Sequence, residues 1–178
     1  MQEVLSREAP EPAQGQEAHA LSRLRLNAAR PTRLPIALLL SVASGVLLSL
    51  ASAPASIGPI AFIALVPMLW LLREARVRRG LLLGSVFGFA YYGAVMYWIG
   101  GLVPADFGIV RLLPWAGLAL ANACYTAAFG ALVPSLWRRR HPWRSVVGWA
   151  GLWVVIEFTR GGWPLGGLTW GGLAYTQT

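Results

Sequence analysis

Long apolar runs separated by short clusters of arginine constrain this chain more than any other feature. Ile36–Ala53, Ile60–Leu72, Leu81–Val103, Leu112–Trp137 and Ser145–Phe158 carry almost no charge. Charged residues make up 12 % of the chain, and mean hydropathy is +0.56. A soluble domain carries roughly 25 % charged residues. The pattern predicts an all-α integral membrane protein of about five transmembrane helices, governed by the rules of the bilayer. The net charge of +8 would suggest nucleic acid in a soluble protein. Here the arginines sit at the ends of apolar runs, so the positive-inside rule explains them, and no nucleic-acid partner is expected.

Taken in order, residues 1–33 read as a disordered cytoplasmic tail, rich in Glu, Gln, Ala, Ser and Pro. A signal peptide also places positive charge before an apolar stretch. The long polar leader and the further apolar runs favour an uncleaved first span. The first two helices, about 36–53 and 59–72, are short against the roughly 17–25 residues of a full span. Arginines flank the pair on both sides: Arg23, Arg25, Arg30 and Arg33 before it, Arg73, Arg76, Arg78 and Arg79 after it. The pair therefore reads as a hairpin entered from the cytoplasmic side, with its Pro54–Pro59 turn near the outer face. Helices about 81–103, 112–137 and 145–158 complete a transmembrane domain over 34–160. Gly84, Gly88 and Gly93 suit close helix packing. The loop RRRHPWR, Arg138 to Arg144, is the strongest signal for a cytoplasmic N-terminus. Residues 161–178 read as an extracytoplasmic segment rich in Gly and Trp.

The closing stretch, EFTRGGWPLGGLTWGGLAYTQT, holds the candidate site residues. Glu157 and Arg160 are three apart and share a helical face. They read either as an ion pair anchoring the helix end or as supports for the mouth of a lipid or substrate cavity. Trp163, Trp170 and Tyr175 read as an interfacial aromatic belt, with acyl-chain contact as the alternative. Cys124 sits mid-span with no ionisable neighbour in sequence and reads as a small packing residue rather than a nucleophile. Asn122 and Thr126 are one turn apart on a shared face. His19 and His141 lack metal-ligand spacing, so no metal or cofactor is expected. The glycines form no phosphate loop, because the GK[ST] ending is absent. All fifteen basic residues are arginine; there is no lysine.

GGLTWGGLAYTQ resembles the GGFPWGRLAFSQ-like segment of bacterial apolipoprotein N-acyltransferases. Glu157, Arg160 and Gly161 are similar to the E-x-x-R-G that ends the preceding span in that family. IGPIAFIALVPMLWLL from Ile57 resembles its early PLAFLALVPLLWAL segment, and GFAYYGAVMYWIGGL from Gly88 its third span. The matches run in order over roughly residues 36 to 177. Thr169 stands where the family usually has Pro, and Gly172 where a longer residue is common. The resemblance implies transfer of an acyl chain from a phospholipid donor to the α-amino group of a diacylglyceryl-cysteine lipoprotein, by ping-pong through a thioester. It implies a bacterial cytoplasmic-membrane location and a Glu-Lys-Cys set in a nitrilase-like domain beyond Thr178. With no lysine present, that set is not in these residues, and the chain alone is expected to be inactive. Two other readings stand beside this one. The first is a non-catalytic membrane scaffold for a polyprenol-phosphate glycosyltransferase. The second is a small transporter, which the lack of repeated halves and of intramembrane polarity disfavours.

Overall fold

Small residues four apart let two helices bring their backbones together, and the third and fourth helices of this chain are built on that pattern. A computed structural model describes residues 32–163, 167 and 171–173. Among the described residues the regular structure is helical, with no strand. The helices are α1 (Leu34–Ser49), α2 (Ile60–Leu72), α3 (Val77–Val95), α4 (Leu113–Leu132) and α5 (Pro142–Gly162). Short 3-10 turns at Tyr97–Gly101, Ala105–Leu112 and Val133–Leu136 join or extend them.

Several boundaries differ from those expected. α1 stops at Ser49, and the chain then tightens into turns whose amides bond three residues back. α3 begins at Val77, because Arg78 and Arg79 are good helix formers and join its first turn. Its regular part ends at Val95, before the tighter turn that holds Gly100 and Gly101. α5 starts at Pro142, where a missing amide costs nothing, and runs on to Gly162.

The seam between α3 and α4 is the closest in the fold. Gly80, Gly84 and Gly88 lie on one face of α3 and meet Gly130, Thr126 and Ala123 of α4. A Cβ on Gly80 would overlap the Gly130 carbonyl, and one on Gly84 the Thr126 carbonyl. Carbonyls facing the seam leave no space for side chains, so van der Waals contact between backbones holds it. α1 crosses α3 with Gly45 against the Phe87 carbonyl, and α2 lies on α1. Leu48, Met68, Leu83, Phe87 and Tyr91 fill the centre.

α5 is attached differently, through aromatic side chains. The Trp149 indole N–H donates to the Val133 carbonyl at 3.0 Å, and Trp153 meets Phe129 edge-on at 5.0 Å. α2 and α5 therefore stand apart over part of their length and leave an apolar cleft between them.

The outer surface is strongly apolar. Phe62 is 72 % exposed and Phe158 is 84 % exposed, with Leu39, Ile63 and Val154 similarly open. Among the described residues one helical stretch, Ala105–Leu136, is long and apolar enough to cross a membrane; it includes a kink at Gly108. α1 and α2 are apolar but shorter.

Candidate functional site

The buried polar groups gather at one end of the bundle, where the chain leaves α5. A polar group away from water must find partners, so their pairings define the site. Arg160, in the last turn of α5, is 3 % exposed. One of its guanidinium nitrogens donates to Asn122 Oδ1 at 3.2 Å, and the guanidinium lies 5.2 Å from the centre of the Tyr92 ring. Asn122 is oriented by its own amide, which donates to the Leu118 carbonyl at 2.8 Å. Three helices thus meet at one buried cation, through a planar donor and the electron-rich face of an aromatic ring.

Glu157 sits one turn earlier and is half-buried. Its Oε1 accepts the backbone N–H of Leu173 at 2.8 Å. The two charged residues share α5 but have different partners: Arg160 reaches into the bundle, and Glu157 holds the returning chain. Among the described residues, an ion pair joins Arg139 to Glu74 at 3.0 Å instead, at the other end of the bundle.

The chain after α5 folds back onto the helices. Tyr91 donates its hydroxyl to the Gly171 carbonyl at 2.9 Å and contacts Ser52 Oγ at 3.3 Å. Tyr125 donates to the Trp163 carbonyl at 2.6 Å. Gly171 has φ +74°, a left-handed conformation that side chains disfavour, and it rests against the Tyr92 ring. Leu173 packs on the core. The segment expected to follow the helices as a separate piece is therefore tied to them at Trp163, Gly171 and Leu173.

Leu173 and Glu157 close one end of the cleft between α2 and α5, which holds about 650 Å³. Ala61, Phe62, Leu65, Val66 and Leu69 form one wall. Val146, Trp149, Ala150, Trp153 and Val154 form the other, with Phe129 at the back. Glu157 is the sole ionisable residue of this lining. Of the aromatic candidates, Trp163 lies just past α5 with its side chain 68 % exposed. Trp170 and Tyr175 lie outside the described residues.

Cys124 departs from its expected packing role. It is exposed, because the buried face of α4 follows Ala119, Asn122, Ala123, Thr126 and Ala127, and position 124 falls off that stripe. The tyrosines at 91, 92 and 125 were not singled out from sequence. A signal existed: Asn122 and Arg160 each needed a buried partner, and aromatic hydroxyls on neighbouring helices are natural hydrogen-bond donors to a returning chain. Among the described residues, no group of three or more His, Cys, Asp or Glu is placed to hold a metal ion.

The family model described as "Apolipoprotein N-acyltransferase N-terminal domain" matches residues 44–178. Similar curated proteins named apolipoprotein N-acyltransferase include one from Geobacter metallireducens, 34 % identical over 145 residues. That match covers 78 % of this chain and 27 % of the relative. One from Azotobacter vinelandii is 35 % identical over 145 residues, covering 78 % and 28 %. One from Nostoc is 30 % identical over 146 residues, covering 74 % and 28 %. The chain thus spans just over a quarter of the length of the curated relatives it matches.

Proposed function

The chain belongs to the apolipoprotein N-acyltransferase family through its N-terminal domain, and on that premise we propose that it is the membrane portion of such an enzyme. The observation that carries this reading is the family match across residues 44–178. In it the five helices are embedded in a bacterial cytoplasmic membrane, with α1 and α2 as a hairpin and the N-terminus in the cytoplasm. The exposed Phe, Leu, Ile and Val side chains favour a bilayer as solvent, since water-soluble monomers rarely expose contiguous apolar surface on this scale.

The arginine-rich end then faces the cytoplasm. The end carrying Arg160, Asn122, Glu157 and the returning segment faces outward. There it holds the chain that leads to the catalytic part in a fixed path. Donor and acceptor are the phospholipid and the diacylglyceryl lipoprotein of the family reaction. Glu157 and Arg160 serve as positioning residues, and the exposed Trp163 lies at the lipid-facing boundary.

The thiolate chemistry of such an enzyme needs a base and a cation beside its cysteine. Cys124 is exposed on α4 with no arginine, histidine or carboxylate near it in sequence, and the chain has no lysine. The 178 residues alone are therefore expected to transfer no acyl chain to a diacylglyceryl peptide in a phospholipid-containing assay. Turnover by this chain alone would overturn the assignment of the chemistry to residues outside it.

A further inference from the structure

The cleft between α2 and α5 has an apolar interior and a basic lower mouth. Its α5 wall runs from Val146 to Glu157, about 16 Å by helical rise. That length is close to one leaflet of a hydrocarbon core about 30 Å thick. At the end away from Glu157, both walls run into arginine within one turn. Arg73 follows Leu69 on α2, and Arg144 precedes Val146 on α5. The Arg73 guanidinium lies 5.3 Å from the Trp70 ring and 5.9 Å from the Trp137 ring; Arg144 lies 5.3 Å from the Trp143 ring. Aromatic faces hold both cations at the height where headgroups would sit. Arg76, Arg138, Arg139 and Arg140 lie in the same two connections, Arg78 and Arg79 follow in the first turn of α3, and the acidic residue among them, Glu74, is bonded to Arg139.

We propose that this cleft binds an anionic phospholipid of the arginine-side leaflet, with one acyl chain between α2 and α5 and its phosphate between Arg73 and Arg144. The site is separate from the Arg160 end, and the bound lipid is a structural ligand. The apolar walls of the cleft suit an acyl chain, and the arginines where both walls end suit a charged headgroup. The local charge surplus favours an anionic headgroup over a zwitterionic one. The proposal rests on the membrane reading above.

The test is native mass spectrometry of the purified 178-residue chain, titrated with phosphatidylglycerol and phosphatidylcholine of matched chains. Phosphatidylglycerol is expected to be retained preferentially. Combining Arg73→Gln with Arg144→Gln should lower its retention by roughly tenfold, the effect of two arginines near an anionic surface after partial screening. Ala150→Trp, which fills the exposed cleft wall, should lower retention of both lipids. Circular dichroism of each variant establishes that it is folded. Equal retention of the two lipids by the wild-type chain, or an unchanged preference in the folded double variant, overturns the proposal. So does a photo-crosslinking side chain at position 150 that captures protein in native membranes instead of lipid. Cys124 reads the membrane placement separately. It should resist a membrane-impermeant maleimide in intact membranes and react after detergent unfolding. Labelling in intact membranes sinks the membrane reading itself; protection without a lipid preference sinks only the lipid site.

Discussion

Gly84→Leu is expected to prevent the bundle from forming. Gly84 lies in the close seam between α3 and α4, and even a Cβ there would overlap the Thr126 carbonyl and press on Ala127 Cα. Both atoms belong to backbone, so no rotamer change relieves the overlap. The helices must separate, and separation also breaks the contacts at Gly80, Gly88 and Gly130 along the seam. Overpacking a close interior typically costs about 1–3 kcal/mol, and a four-carbon side chain against backbone belongs at or beyond the upper end. Thermal unfolding in detergent should show the variant without a cooperative transition near that of the wild type. Gly151→Leu is the matched control, because a Cβ at Gly151 meets nothing within 4 Å. It should unfold with the wild type.

Arg160→Ala is expected to have the second-largest effect, about 2–4 kcal/mol of destabilisation. Losing the guanidinium leaves the buried Asn122 carbonyl oxygen without that donor, removes the cation over Tyr92, and opens space in the bundle. Arg160→Lys should recover only part of the loss, because an ammonium cannot reproduce a planar fork that donates to Asn122 while lying over a ring. The segment after α5 should also become easier to cleave, since the same end holds Gly171 through Tyr91 and Leu173 through Glu157. Limited proteolysis with mass readout reports this directly. A variant that unfolds with the wild type and keeps the segment protected would show that Arg160 does not pin this end of the bundle.

How much of this was legible in the sequence follows from which physics set each feature. Apolar runs and arginine clusters are local, so the helices and their order could be read directly. Of the glycines at 84, 88 and 93, the first two lie in the close seam, because small residues four apart share a face, whereas Gly93 faces the Trp115 ring. Their partner Gly130 did not stand out, since one glycine in an apolar helix marks no partner. Boundaries moved where a charged residue joined a helix, as Arg78 and Arg79 did at the start of α3. The site was half visible. Glu157 and Arg160 were marked by charge, but their spacing suggested a mutual pair. Arg160 turned instead to Asn122 on α4 and Tyr92 on α3, and Glu157 to a backbone amide that follows it by 16 residues. Those choices depend on where α5 crosses the others, which one-dimensional spacing does not encode. Cys124 shows the same limit: its neighbours argued for burial, and the rotation of α4 put it outside.

Helices that serve as the membrane portion of an apolipoprotein N-acyltransferase should work in place of a relative's own. The most direct test replaces the matching N-terminal quarter of a relative, such as the Geobacter metallireducens enzyme, with this chain. The chimera, in phospholipid vesicles, is then assayed for the mass gain of one acyl chain on a diacylglyceryl lipopeptide. Product is expected to form. A chimera that is folded and membrane-inserted yet yields no product would contradict it.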